Sequence, residues 1–277
     1  MVDRATMSAE RDDQCPHHPT HVYDLSESET NRLTHQFLRT RAVDTHDQFA
    51  CFEIEGSDPF ANIPRQVERE VFEESFGNDP VCMTDEYGPY EDSSLFFLAV
   101  DTQAEAPAGV LRMIRNSSAG LKTLVDMEDS TKTPTAVRTG DLMQYHGIDD
   151  LDRCWDGATS AVRRRYRRRL ATIHVQLLRA WYAAATRENV RHLVSILDAP
   201  VYRIVRDFFG VPLVPLGDTP PFTYMDAPNS QAVYAHVSTS LAIAAGVNRK
   251  VGRRIRDCFA DGGAAQACGP RHIQRAK

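Results

Sequence analysis

The densest chemical feature of the sequence is Arg163-Arg-Arg-Tyr-Arg-Arg-Arg169, six arginines around one tyrosine directly before an apolar helical stripe. Guanidinium groups grip phosphate oxygens in pairs, whereas cations at a helix N-terminus oppose its dipole. The run therefore asks for an anionic partner: coenzyme A, a phosphopantetheine arm with its acidic carrier protein, or RNA. A field of opposite sign lies earlier, where carboxylates crowd Glu68 to Asp92. Its last members, Glu91 and Asp92, stand before the apolar run Leu95 to Val100, so a carboxylate there could face an ammonium group; the plainer reading is a solvated acidic loop. Asp156, between Trp155 and Gly157, reads equally as a turn residue and as a proton acceptor whose pKa partial burial would raise.

Other chemistries lack their residues. There is no G-x-S-x-G elbow, no G-x-x-x-x-G-K-[ST] loop, no H-E-x-x-H and no G-x-G-x-x-G between a strand and a helix. The six cysteines form no C-x-x-C pair and read as free thiols of a reducing compartment, not as nucleophiles. The patch Cys15, His17, His18 and His21 reads as a solvated tail, so no metal is expected.

At 277 residues the chain suits one core of about 200 residues with extensions. Hydrophobic residues at 42% and charged residues at 25% place it among globular proteins. The net charge of -6 disfavours a surface devoted to nucleic acid. Neither a signal peptide nor an eighteen-residue apolar span is visible, so the sequence points to the cytoplasm and away from a membrane.

The elements that must position these residues follow from periodicity. Phe49 to Glu55 alternates as a strand, and a helix with Ile63, Val67, Val71 and Phe72 on one stripe follows Asp58-Pro59. Residues 79–94 read as a loop. Leu95 to Val100 and Ala108 to Ile114 form an antiparallel hairpin, Leu121 to Val125 a further strand, and residues 128–152 a polar lid or insertion. A long helix carries Leu170, Ile173, Leu177, Trp181 and Ala184. Strand His192 to Leu197, a helix capped by Asp198, and a last strand Val211 to Leu216 complete a mixed sheet with helices on both faces. The expected divisions are a polar extension at 1–48, a domain at 49–245 and a basic tail at 246–277.

The order of these elements and several strings resemble the GNAT-fold acyltransferases, above all the acyl-homoserine-lactone synthases and N-acyl amino acid synthases. The strings are Arg69-Glu-Val-Phe72, Tyr87-Gly-Pro-Tyr-Glu-Asp92, Ala108-Gly-Val-Leu-Arg112, Trp155-Asp156 with Ala161-Val162, and Leu193 to Asp198 with Phe209-Gly210. The family's strand carries Glu where Asp156 stands and Arg where Thr159 stands. The resemblance implies an α/β (α+β) fold with a mostly antiparallel sheet. It also implies transfer of an acyl group from a CoA or acyl-carrier-protein thioester to a small amine by direct attack, with no tightly bound cofactor.

On that reading Asp156, Glu91 and Asp92 are the catalytic candidates, while Arg112, Arg69, Trp155 and Ser195 contact substrate. Arg163, Arg164, Arg165 and Arg168 hold the phosphates of CoA or phosphopantetheine. Leu193, Ser195 and Leu197, opposite Val201, Val205 and Phe209, would house the acyl chain. A catalytically lapsed binding or sensor protein and a nucleic-acid-binding module are the rival readings.

Overall fold

The computed structural model describes residues 22–41, 48–208 and 210–238. The Cys15/His21 patch, Phe209 and the basic tail lie outside them. The chain starts with helix α1 (Glu27–Arg39), capped by Ser26 and Glu29 in reciprocal hydrogen bonds. Strand β1 (Phe49–Glu55), helix α2 (Asn62–Phe76) and helix α3 (Pro80–Tyr87) follow. The hairpin is β2 (Ser94–Asp101) and β3 (Ala106–Arg115), after which come α4 (Lys122–Glu128) and α5 (Thr139–His146). Next are β4 (Cys154–Val162), α6 (Leu170–Arg187) and β5 (His192–Leu197). Helix α7 (Ala199–Arg203), strands β6 (Val214–Pro215) and β7 (Phe222–Tyr224), and the long β8 (Ala227–His236) end the described chain.

The sheet order is β1-β2-β3-β4-β5-β8-β6, with β7 also on β8. Every pairing is antiparallel except β4 with β5. The run Leu95 to Val100 shows why the sheet needs cover on both sides. Leu95, Phe97 and Ala99 join the core under α6, while Phe96, Leu98 and Val100 join the core under α1 and α2. Gly109 is fixed by packing, because a Cβ there would stand 2.9 Å from Ile173 of α6 and 3.0 Å from the Ala161 carbonyl.

Several sequence expectations change. Residues 80–87 are helix, since Asp79 caps the Cys82 N–H and Pro80 supplies the first turn. Leu121 to Val125 opens α4, not a strand: Leu121, Leu124 and Met127 are buried three residues apart, a period that a short apolar run hides. The polar connection 128–152 contains α5, anchored by Leu142 against Met127 and Leu216. The last sheet strand is β8, because the stretch after Val211 contributes only two residues of β6. Residues 22–41, expected in a polar extension, pack on the domain through Tyr23, Thr34 and Phe37, all buried.

Candidate functional site

The parallel pair β4–β5 keeps register for only three positions, Cys154↔His192, Trp155↔Leu193 and Asp156↔Val194. Beyond them β4 continues on β3 to Val162 and β5 continues on β8 to Leu197, so the two strands part inside the sheet. The backbone groups along the facing edges are therefore released from a ladder, available to a ligand. Ser195 spans the start of the gap, its Oγ donating to the Gly157 carbonyl.

A cavity of about 150 Å³ occupies this gap. Gly157, Ala158, Thr159 and Ser160 line it from β4, and Leu193, Ser195, Ile196 and Leu197 from β5. Phe72, Phe76 and Tyr87 reach it from α2 and α3, while Leu177 and Trp181 reach it from α6, so it joins the two faces of the sheet. Val201 and Val205 also line it. The buried indole N–H of Trp181 has no hydrogen-bond partner among the described residues. Lowering of the His174 pKa by burial keeps its imidazole neutral near pH 7, with Nε2 3.0 Å from Ser160 Oγ and Nδ1 3.1 Å from the Leu170 carbonyl.

Beside Tyr87 and Thr159 lies a buried ionic network. Arg65 sends Nε to Glu91 Oε2 at 2.8 Å and Nη2 to the Gly56 carbonyl at 2.7 Å. Arg112 reaches Ser94 Oγ at 2.9 Å and Tyr23 Oη at 2.7 Å, and its Nη2 lies 3.1 Å from Glu91 Oε1. The Arg112 guanidinium sits 4.4 Å from the Tyr87 ring centroid. Tyr23 Oη donates to Glu91 at 2.6 Å. Glu68 accepts from Arg112 Nη1 at 3.3 Å and from the Thr159 hydroxyl. Gly56 allows this closure, because a Cβ would collide with the Glu91 backbone carbonyl.

The two carboxylates of the network differ. Burial raises the pKa of Glu91, but Arg112, Arg65 and the Tyr23 hydroxyl outweigh it and hold the carboxyl below its usual value. Burial pushes Glu68 up to about 7, against the lowering by Arg112 and Thr159. Glu91 is thus a fixed anion that orients arginines, while Glu68 can exchange a proton near neutrality.

The sequence candidates scatter around this centre. Arg112 is in the network. Arg69 is not: it turns along α2 to Glu73 at 2.7 Å, and Arg65, one turn earlier, takes the buried place. Asp92 is exposed. Trp155 is buried with the α6 core and does not line the cavity. Asp156 is buried and faces α4, where its carboxylate accepts from the Thr123 N–H and, at 2.9 Å, from the Thr123 hydroxyl. Burial pushes its pKa up to about 7, opposed by those two bonds and by Lys122. Asp156 does not line the cavity either, so its proton has no direct route to it.

The arginine cluster finds much of its anionic partner inside the chain. Arg163 is buried and holds Glu70 with both Nε, at 2.6 Å, and Nη2. Arg164 and Arg167 pair with Glu74, and Arg165 with Glu27. Arg168 is exposed and makes no ion pair with a described residue. Arg65 and Glu68 escaped the sequence reading because they lie off the Ile63/Val67 stripe, on a side of α2 that periodicity leaves to solvent and the fold buries.

Comparison with solved structures fits this geometry. FeeM, an N-acyl amino acid synthase from uncultured soil microbes, superposes with a TM-score of 0.51 at 13% identity, over 72% of this chain and 96% of its own. The chain has the GNAT fold. BjaI, a CoA-dependent acyl-homoserine lactone synthase solved with SAM and isopentyl-CoA, gives 0.49 at 13% identity over 76% of this chain and 90% of its own. A GNAT-family acetyltransferase from Staphylococcus aureus gives 0.42 at 13% identity over 68% and 99%. No protein-family model and no curated relative matches the sequence. Within the GNAT fold of this chain, the parted β4–β5 pair and its cavity form the candidate site. Among the described residues no helix is long and apolar enough to cross a membrane, and no cluster of three His, Cys, Asp or Glu side chains could hold a metal.

Proposed function

We propose that the protein is an N-acyltransferase that moves an acyl group from a CoA or carrier-protein thioester to a small amine by direct attack. The observation that carries this reading is the gap between β4 and β5, which frees backbone donors beside an apolar cavity open toward both faces of the sheet. A thioester placed there meets amide groups able to stabilise the oxyanion as the amine adds. The unpaired Trp181 indole N–H in the cavity wall suits a ligand carrying a carbonyl.

The cavity limits the acyl group. An apolar cavity of about 150 Å³ is on the scale that takes benzene, so a chain of roughly six carbons fits without displacing side chains. The phosphate end of the donor lies toward Arg164, Arg165 and Arg168, exposed arginines that a phosphate can recruit; Arg163, locked on Glu70, serves the fold instead. The thiols Cys51, Cys82 and Cys154 are unpaired, consistent with a cytoplasmic enzyme.

Hexanoyl-pantetheine, the portion common to both donor types, tests the reading when offered with n-butylamine and with each of the common amino acids. Amine-dependent release of free thiol, with the amide found by mass spectrometry, is the expected result. A lapsed relative would bind the thioester and release nothing with any amine, and that outcome would end the proposal.

A further inference from the structure

The two residues that link the cavity to the buried network suggest a proton route. Thr159 lines the cavity from β4, and its hydroxyl donates to Glu68 of α2, a carboxylate with no exposure of its own. We infer that Glu68 takes the proton of the attacking amine, through the Thr159 hydroxyl, and that Thr159 is the group that touches the amine. This rests on the acyltransferase reading given above and adds the base to it.

The surroundings of Glu68 support the assignment. Facing it are Arg112 from β3, Arg65 from its own helix, Glu91, Tyr23 from the segment before α1, Tyr87 from α3 and Thr159 from β4. Two guanidiniums against Glu68 and Glu91 make the network neutral when both carboxylates are ionised, and above about pH 7 Glu68 is an anion able to accept one proton. The two arginines then hold Glu91 below its usual range and leave Glu68 close to neutrality, which suits a base working near pH 7. Arg112 holds the carboxylate from one side, and from the cavity lining the Thr159 hydroxyl hydrogen-bonds to it. Asp156 has a similar pKa but spends its hydrogen bonds on Thr123 and does not line the cavity.

In the reaction the amine nitrogen bonds to the thioester carbonyl carbon. Its N–H proton passes to Thr159 Oγ1 while the Thr159 proton moves to Glu68. The C–S bond then breaks with its electron pair on sulfur, and the thiolate takes up one proton for the one the nitrogen has lost. Neither an oxidant nor a further reactant is needed. The arrangement also gives a reason for threonine at 159, a position where the resembling family carries arginine: a guanidinium there could not relay a proton.

Thr159→Val removes the hydroxyl at nearly constant shape, and Thr159→Ser restores it. With hexanoyl-pantetheine and whichever amine the wild type accepts, Thr159→Val should lower kcat by about 100-fold at little change in KM for the donor. The fall in wild-type kcat below about pH 7 should disappear in this variant. Thr159→Ser should return both the rate and the pH profile, which a purely structural threonine would not require. Glu68→Gln, checked for folding by circular dichroism, should match Thr159→Val. A Thr159→Val enzyme with the wild-type rate and pH profile would overturn the relay and leave the transferase standing. A wild type with no amine-dependent thiol release would remove both.

Discussion

Two arginine-rich regions of this molecule use the same residue pairs to opposite ends. In the buried network Arg65 and Arg112 are fully enclosed, and each carboxylate they meet is enclosed as well. In the cluster before α6, Arg164, Arg165 and Arg167 are exposed and their carboxylates lie at 3.3, 3.4 and 2.9 Å in solvent. Water is the difference. Enclosed charges cannot lose one partner without stranding the other, whereas exposed ones exchange partners freely and are screened by salt. The buried set therefore fixes geometry beside the cavity, and the exposed set is available to recruit a ligand.

The strongest way to break this contrast is Arg112→Ala. Removing it leaves Glu68 and Glu91 facing one guanidinium, and urea unfolding should show a loss of about 3–5 kcal/mol. A loss under 1 kcal/mol would mean that water enters the network and that the two regions do not differ as described.

Asp156 extends the comparison to a buried carboxylate whose hydrogen bonds come from Thr123 alone. Its folded pKa of about 7 exceeds the unfolded value of about 3.9. The folded state therefore holds the extra proton between those values, and this group's contribution to stability is complete below pH 4 and falls as pH rises to about 7. Asp156→Asn should remove up to about 1.4 kcal/mol per pH unit from that slope, seen in urea curves taken at pH 4.5, 5.5, 6.5 and 7.5. Glu68, raised in the same direction, keeps a slope of the same sign. An unchanged slope would show that Asp156 is hydrated.

The cavity beside the buried network offers a smaller effect. Ser195→Leu or Val205→Phe should shift preference toward shorter acyl donors, each excluded methylene counting about 0.8 kcal/mol, or roughly fourfold in kcat/KM. A variant that loses stability with its chain-length profile intact would make these positions plain core.

The smallest effect on stability is expected at the surface. Arg164→Ala combined with Arg168→Ala should leave the unfolding free energy within about 1 kcal/mol, yet weaken CoA binding and flatten its salt dependence, measured by titration calorimetry at two ionic strengths. Loss of stability without change in CoA affinity would reverse the roles given to the two regions.

What the sequence determined by itself was the set of elements whose periodicity is local: β1, the β2–β3 hairpin, the stripe of α6, and β5 with the Asp198 cap behind it. The alternation along β5 put Leu193, Ser195 and Leu197 toward one surface and Ile196 toward the other, whereas all four line the cavity, because the parted strand end is open on both faces. Helix α4 was hidden because a short apolar run carries no period long enough to separate helix from strand, and α3 because its short, acidic, proline-led stretch reads as a loop. Only the tertiary structure decided the site. Tyr23, Arg65, Glu68, Glu91, Arg112 and Thr159 are spread over more than 130 positions and meet solely because α2 lies across the sheet where β3 and β4 run side by side. Likewise no spacing along the chain reveals that Glu70 and Glu74 pair with Arg163, Arg164 and Arg167, or that Asp156 turns to α4. Charge and burial are properties of neighbours in space, so a residue's chemistry is fixed only when the fold has chosen those neighbours.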